Sequence, residues 1–119
     1  MNHARTVLLV EHEPVLRRCL AMHLESQGIH VWAASSLHEA RLLLEGLSFD
    51  AAILDAALPD GDGFSLLEET SPELSIVITA HRDPDRLDRY GVRRHLTKPF
   101  DLDAASRLVT QLFEAHPDR

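Results

Sequence analysis

Residues 7–14 read Val-Leu-Leu-Val-Glu-His-Glu-Pro, an apolar run that ends abruptly in three titratable side chains and a proline. Four consecutive apolar residues are typical of a parallel strand that is buried on both faces. Proline is favoured in the first turn of a helix, because its missing N–H would have no partner there. The stretch therefore predicts a buried strand, a short polar loop and a helix that begins at Pro14.

The same alternation of apolar runs and helical patterns continues through the 119 residues. The apolar runs cover residues 6–10, 29–33, 50–54, 75–79 and 93–97. Such alternation predicts an α/β fold, with a five-stranded parallel sheet and helices on both faces. The second and fifth runs are the most polar, so we expect them at the sheet edges. The strand order 2-1-3-4-5 satisfies this pattern.

Several helices carry start signals and apolar stripes. Ser36-Leu37-His38-Glu39 has the pattern of a capping box, Asp83-Pro84 begins a helix of about two turns, and Asp101 is a candidate cap for the last helix. The first two helices are expected to bury these stripes: Leu16, Cys19, Leu20, His23 and Leu24 in the first, and Leu37, Ala40, Leu43, Leu44 and Leu47 in the second.

Composition excludes several classes of protein. The formal net charge is −7, with 12 basic and 19 acidic residues, which disfavours direct nucleic-acid binding. No apolar run approaches the length of a membrane span, and we expect a cytoplasmic protein without membrane contact. The single Cys19 excludes an internal disulfide and is expected to be a small buried residue. The five glycines form neither GxGxxG nor GxxxxGK, which disfavours a nucleotide-binding enzyme.

Polar groups follow four of the predicted strands. Glu11 and His12 follow the first, Asp55 ends the third, Thr79 ends the fourth, and Lys98 follows the fifth. The carboxyl ends of parallel strands meet at one edge, where ligands bind near the change in strand order. We therefore expect these five side chains to share one crevice.

Four stretches together resemble the receiver domain of two-component response regulators, over essentially the whole chain. They are residues 7–14, 54–63, 77–80 and 96–100. The resemblance implies a flavodoxin-like (βα)5 doubly wound sandwich and a single receiver domain over residues 1–119. That domain either stands alone or lacks a C-terminal output domain. The resemblance also implies a signalling module and no independent enzyme.

The resemblance assigns roles to the crevice residues. Asp55 would be the phosphoacceptor, receiving a phosphoryl group from a sensor histidine kinase or a phosphotransfer protein. Lys98 would supply a positive charge and Thr79 a hydroxyl for the phosphoryl oxygens. Mg²⁺ would be bound by acids after the first strand, by Asp55 and by the Ala57 backbone carbonyl. The family also has a cis peptide bond at the position of Lys98-Pro99.

His12 departs from the family, which usually has a second acid at this position beside Glu11. Mg²⁺ prefers hard oxygen ligands, so we expect Mg²⁺ affinity and phosphotransfer to fall. Three interpretations stay open at this point. The domain no longer needs a metal; Glu11 or Glu13 replaces the missing acid; or the site prefers Mn²⁺, Zn²⁺ or Ni²⁺.

Two further histidines occupy functional positions of the family. His81 aligns with the mouth of the site, where it either joins His12 or is merely solvated. His95 replaces the aromatic residue that usually moves together with Thr79, so His95 and Thr79 form the predicted switch.

The segments 55–79 and 79–98 are short for the family, which predicts truncated third and fourth helices. Arg82, Arg86 and Arg89 lie on the fourth helix. They form either a solvated face or a basic patch for a partner, including a homodimer through helix 4, strand 5 and helix 5.

The sequence as a whole leaves two functions open: a phosphorylation-controlled receiver, or a pseudo-receiver that binds proteins without phosphorylation.

Overall fold

Five parallel strands form the central sheet of the computed structural model, which describes residues 4–117. In chain order they are β1 (Thr6–Val10), β2 (His30–Ala34), β3 (Ala51–Asp55), β4 (Ser75–Thr79) and β5 (Arg94–Thr97). Their spatial order is β2-β1-β3-β4-β5, and all neighbouring pairs are parallel. The predicted sheet and strand order are confirmed. Residues 1–3 and 118–119 of the predicted domain lie outside the described range.

Burial distinguishes the central strands from the edges. Every residue of β3 and β4 is buried, whereas β2 and β5 are partly exposed. Strands β2, β3 and β5 each begin one residue later than predicted. Just before β3, the Asp50 carboxylate accepts a hydrogen bond of 2.8 Å from the Thr6 N–H, and the Asp50 N–H donates one of 2.9 Å to the Thr6 carbonyl. Asp50 precedes the strand instead of beginning it.

Helices cover both faces of the sheet. They are α1 (Pro14–Glu25), α2 (Leu37–Gly46), α3 (Leu67–Thr70), α4 (Pro84–Arg89) and α5 (Leu102–Ala115), with short 3₁₀ segments at Gly63–Leu66 and Pro72–Leu74. Alternate residues of β1 point to opposite faces. Val7 and Leu9 pack with buried residues of α1 and α5, whereas Leu8 and Val10 pack with those of α2, α3 and α4. The doubly wound architecture follows directly from this alternation.

Three details of the predicted helices are wrong. Cys19 is exposed, because it lies beside the buried stripe of α1 that contains Leu20 and Leu24. Leu47 is also exposed, because α2 ends at Gly46 and Leu47 already has extended backbone angles. Asp101 occupies the N-cap position of α5, but its side chain makes no capping hydrogen bond.

The loop after β3 turns back on itself through a short antiparallel pair, Ala57–Leu58 with Gly61–Asp62. Gly63 follows this pair, and any side chain there would collide with the backbone carbonyl of Asp55. The Gly63 N–H donates a hydrogen bond of 2.9 Å to the Ala56 carbonyl. The loop is therefore packed directly beneath the end of β3.

Helix α4 is short, as predicted, and is attached to this loop. Its N-cap Asp83 accepts a hydrogen bond of 3.2 Å from the Arg86 N–H. The Arg86 guanidinium forms an ion pair with Asp62 and lies 4.1 Å above the centre of the Phe64 ring. Arg86 therefore anchors α4 instead of joining a fully solvated basic face. Within residues 4–117, no helix is long and apolar enough to cross a membrane.

Candidate functional site

The carboxyl ends of four strands bring the predicted crevice residues together. Asp55 is the last residue of β3 and Thr79 the last of β4. Glu11 directly follows β1, and Lys98 directly follows β5. The Lys98 N–H donates a hydrogen bond of 2.9 Å to the Thr79 carbonyl, so the ends of β4 and β5 stay aligned. The peptide bond between Lys98 and Pro99 is cis, as the resemblance implied.

Asp55 lies at the centre of the site and is only 2% exposed. Its Oδ1 accepts a hydrogen bond of 3.0 Å from the Ala57 N–H. Its Oδ2 lies 3.1 Å from Lys98 Nζ and 3.3 Å from His12 Nδ1. One carboxylate oxygen is thus held by the backbone, while the other faces the cationic and imidazole groups.

Lys98 is the only lysine of the sequence and contacts three carboxylates. Besides Asp55, its Nζ lies 3.0 Å from Glu11 Oε1 and 3.5 Å from Glu13 Oε2. Burial favours the neutral amine, but hydrogen bonds with Glu11 and Asp55 outweigh that effect and raise the pKa of Lys98. The ammonium therefore stays charged and offsets part of the acidic charge.

Glu11 is completely buried beside Asp55. Its Oε2 accepts a hydrogen bond of 3.1 Å from the Glu13 N–H. Burial raises the pKa of Glu11, and the contact with Asp55 raises it further. Burial also opposes ionisation of Asp55, but hydrogen bonds from Glu11, Ala57 and Lys98 prevail and lower its pKa.

His12 faces both buried carboxylates from the surface. Its side chain is 44% exposed, and Nδ1 lies 3.3 Å from Asp55 Oδ2 and 3.5 Å from Glu11 Oε2. Ligand atoms of Glu11, His12 and Asp55 lie within 4.8 Å of one another, so these residues could hold a metal ion. Glu13 instead reaches Lys98, and its side chain is half exposed.

Thr79 provides a buried hydroxyl at the end of the strand next to Asp55. Its Oγ1 has no hydrogen-bond partner among the described residues. Thr79 lines a cavity of about 240 Å³ together with Ala56, Arg86 and the exposed His81. His81 does not belong to the three-residue cluster of candidate metal ligands. The unpartnered hydroxyl could donate to an anionic group that enters this space.

Two predicted roles remain predictions. The contact between Ala57 and Asp55 uses the Ala57 N–H, and this contact does not test whether the carbonyl binds a metal. His95 is half-buried on β5, where it pairs in register with Val77. That position places His95 on the strand next to Thr79 and leaves its role in switching open to experiment.

Sequence reasoning missed two residues that hold the site loops. The Arg17 guanidinium donates hydrogen bonds of 2.9 Å to the Glu11 carbonyl and 3.3 Å to the His12 carbonyl. Asp60 accepts from the Leu37 and His38 N–H groups at 2.9 and 3.0 Å, and these bonds lower its pKa. Arg17 gave no signal in the sequence. Residues 59–63, Pro-Asp-Gly-Asp-Gly, are typical of a turn, but this pattern does not predict the contact of Asp60 with α2.

The family of the chain follows from comparison with known proteins. The model of the response regulator receiver domain matches residues 7–110. The chain belongs to this family. Receiver domains act in two-component signalling, where response regulators interact with histidine kinases or phosphotransfer proteins, and they generally bind Mg²⁺ through acidic residues.

Similar sequences include short and long proteins. An uncharacterized 14.6 kDa protein of Leptolyngbya boryana is 35% identical, over 93% of this chain and 92% of its own length. The KDP operon transcriptional regulatory protein KdpE of Escherichia coli is 35% identical over 81% of this chain and 45% of its own length. The chain therefore spans less than half of the KdpE sequence.

Solved structures share the fold. A receiver domain protein from Methanospirillum hungatei superposes with a TM-score of 0.84 and 22% identity, over 98% of this chain and 100% of the other. A receiver protein from Sinorhizobium medicae also has a TM-score of 0.84, with 26% identity over 95% of this chain and 97% of the other. The flavodoxin-like fold expected from the sequence is confirmed.

Proposed function

We propose that this receiver accepts a phosphoryl group on Asp55 from the phosphohistidine of a sensor histidine kinase or a phosphotransfer protein. The observation that carries the proposal is the arrangement around one carboxylate oxygen. Asp55 Oδ2 lies 3.1 Å from Lys98 Nζ, and the buried, unpartnered Thr79 hydroxyl ends the neighbouring strand. A nucleophile, a cation and a hydroxyl donor thus converge.

The acceptor is suited to nucleophilic attack. The lowered pKa keeps Asp55 ionised near neutral pH, and an ionised carboxylate has the lone pair that the reaction requires. A carboxylate oxygen forms a bond to phosphorus while the phosphorus–nitrogen bond of the phosphohistidine breaks. The electron pair of that bond leaves with the imidazole nitrogen, so the reaction needs no oxidant, reductant or water.

The product would be stabilised by groups already in place. The Lys98 ammonium offsets charge on the transferred phosphoryl oxygens, and the Thr79 hydroxyl donates a hydrogen bond to one of them. Phosphorylation adds about 1.5 to 2 negative charges in a site that is already acidic. That change would be transmitted through Thr79 and β5 to the surface formed by α4, β5 and α5, with His95 as the moving ring.

This surface is the proposed partner face. Arg82, Arg89 and Arg93 are exposed there, as is Asp101 at the start of α5. Opposite charges on one face could pair between two copies of the chain, so a homodimer belongs to the proposal. Sedimentation velocity with and without a phosphodonor should show dimer formation on phosphorylation. A monomer under both conditions would contradict this part of the proposal.

A second candidate function is favoured by His12. Mg²⁺ takes oxygen ligands in octahedral geometry, and an imidazole now occupies the position of an acid. The residues after β1 therefore do not fit Mg²⁺ well, and the site has lost one negative charge. The alternative is a pseudo-receiver whose partner face works without phosphorylation.

Intact-mass measurement separates the two functions. The protein is incubated with acetyl phosphate and either Mg²⁺ or Mn²⁺, and we expect a mass gain of one phosphoryl group. Asp55→Asn should abolish this gain, whereas the matched surface variant Asp88→Asn should retain it. If no adduct forms with either metal, and none forms with a phosphorylated kinase, the pseudo-receiver is the function that remains. Faster phosphorylation of His12→Asp with Mg²⁺ would identify His12 as the cause of slow transfer.

A further inference from the structure

One cluster in the pocket combines nitrogen and oxygen donors. His12 Nδ1 lies 3.3 Å from Asp55 Oδ2 and 3.5 Å from Glu11 Oε2. All three ligand atoms lie within 4.8 Å of one another. Imidazole together with carboxylates suits Zn²⁺ and similar transition-metal ions, whereas oxygen ligands alone suit Mg²⁺.

Glu11 gives an independent indication that a cation belongs here. Its buried Oε2, which faces His12, accepts one hydrogen bond among the described residues, from the Glu13 N–H at 3.1 Å, so this oxygen can still bind a cation. The ligand atoms of Glu11 and Asp55 lie within 4.8 Å of each other, so two carboxylates face one another in the pocket. Lys98 is the only described lysine or arginine that forms an ion pair with either carboxylate. The buried acids therefore have more negative charge than their neighbours offset.

The spacing of the donors distinguishes between metal geometries. Ligands about 2.0–2.1 Å from a tetrahedral Zn²⁺ are about 3.3–3.4 Å from one another. Neighbouring oxygens about 2.0–2.1 Å from an octahedral Mg²⁺ are only about 2.9 Å apart. The two distances from His12 Nδ1, 3.3 and 3.5 Å, are close to the tetrahedral value.

Lys98 does not occupy the same side of Glu11 as His12. The ammonium contacts Oε1, whereas His12 faces Oε2. A metal ion on the His12 side would share only Asp55 Oδ2 with Lys98. The exposed His12 side leaves room for a water molecule as the fourth ligand, which is the usual arrangement when zinc has three protein ligands.

We infer that Glu11, His12 and Asp55 form a mixed nitrogen–oxygen site that prefers Zn²⁺ to Mg²⁺. His12 is the residue that sets the preference, since the two carboxylates alone would supply only the oxygen ligands that suit Mg²⁺. The inference concerns the same pocket as the proposed function but does not require phosphorylation of Asp55. It predicts that the metal binds to the free protein.

Calorimetric titration of the EDTA-treated full chain with Zn²⁺ and with Mg²⁺ tests the inference. Because most protein sites bind Zn²⁺ more tightly than Mg²⁺, the informative quantity is the ratio of the two affinities in wild type and variant. His12→Asp should lower the ratio of Zn²⁺ affinity to Mg²⁺ affinity at least about tenfold, as expected when a residue that supports zinc binding is lost. His38→Ala, which removes an exposed imidazole remote from the pocket, should leave the ratio unchanged.

Cobalt provides a readout of geometry that does not depend on affinity. Co²⁺ bound to the wild type should show the strong visible absorption of a tetrahedral complex, and His12→Ala should lose it. Circular dichroism should show that this variant remains folded, since the His12 side chain is 44% exposed. An unchanged affinity ratio in His12→Asp, or unchanged Co²⁺ absorption in His12→Ala, would overturn the inference.

The outcomes for metal and for phosphorylation can be separated. Zinc binding that depends on His12, without any phosphoryl adduct, would support this inference and contradict the proposed function. Phosphorylation with Mg²⁺ and no His12-dependent zinc binding would do the reverse.

Discussion

The two sides of the pocket differ in how firmly the fold holds their residues. On the side of β3 and β4, Asp55 and Thr79 are 2% and 5% exposed and belong to fully buried strands. On the side of β1, Glu11 is also buried, but the His12 and Glu13 side chains that follow it are 44% and 50% exposed. The buried side carries the proposed acceptor and hydroxyl, whereas the exposed side carries an imidazole where the resemblance to the family implies an acid. A ligand residue outside the packed core can change without disturbing the sheet.

The largest effect should come from disturbing the frame beneath Asp55. In Gly63→Ala, the new Cβ would collide with the Asp55 carbonyl oxygen and lie 2.8 Å from its carbon. Because both partners are backbone atoms, we expect the free energy of unfolding to fall by about 3 kcal/mol or more. Urea denaturation monitored by circular dichroism measures the change.

The matched control for this frame is Gly46→Ala at the end of α2. No atom lies within 4 Å of the added Cβ there, so we expect no change or a gain of up to about 1 kcal/mol. Equal losses in both variants would show that the Asp55 side is no more rigid than the rest.

Lys98 joins the two sides, so its removal should have the next largest effect. Lys98→Gln removes the ammonium that contacts both buried carboxylates, Glu11 and Asp55. The carboxylates keep only the His12 imidazole and two backbone N–H donors among the contacts described above. We expect a loss of about 1–3 kcal/mol in the free energy of unfolding at pH 7, because buried charge becomes uncompensated. Arg89→Gln, which removes an exposed cation from α4, should change it by less than about 0.5 kcal/mol. Similar values for both would contradict a linking role for Lys98.

Glu11 allows the pair to be tested by pH. Burial and the contact with Asp55 raise its folded pKa above the ordinary 4.5, so the folded state binds the proton more tightly than the unfolded state. Glu11 thus stabilises the fold below pH 4.5, and this stabilisation is lost as pH rises through the folded pKa. Glu11→Gln removes that loss, so its stability relative to wild type should improve between pH 4.5 and 7, by on the order of 1 kcal/mol.

Glu39→Gln provides a control of opposite sign. Hydrogen bonds from the Ser35 hydroxyl and N–H lower the pKa of Glu39, so its contribution is present above pH 4.5 and is lost on acidification. The stability of this variant relative to wild type should therefore not improve between pH 4.5 and 7. Parallel pH profiles for the two variants would contradict a raised pKa of Glu11 in the folded protein.

The difference between buried and exposed residues also explains which features of the fold and of the site could be predicted from the sequence. Continuous apolar runs such as Val7–Val10 identify buried strands, and the parallel order then places Asp55, Thr79 and Lys98 at one edge. The contacts of long side chains are not encoded in such patterns. The ion pair between Arg86 and Asp62, for example, depends on side-chain rotamers and on how the short α4 packs.

Amphipathic patterns also leave the limits of a buried stripe open. Cys19 lies next to Leu20 on α1, yet one residue of helix rotation separates an exposed side chain from a buried one. The proposed metal preference could not be derived from the sequence either, because the sequence places His12 beside Glu11 but does not give the separation of their ligand atoms.

The smallest effect on stability should come from His12 itself. His12→Ala removes a side chain that is 44% exposed, and we expect the metal-free protein to change by less than about 0.5 kcal/mol. His23→Ala should lower the free energy of unfolding more, because His23 is half-buried and its Nε2 lies 3.2 Å from Asp103 Oδ1 across α1 and α5.

Thermal unfolding with added Zn²⁺ tests metal binding apart from stability, since a ligand that binds only the folded state raises the melting temperature of the protein. Wild type and His23→Ala should both be stabilised by Zn²⁺, whereas His12→Ala should not. Equal stabilisation of all three would place zinc binding elsewhere on the chain and remove the chemical difference between the two sides of the pocket.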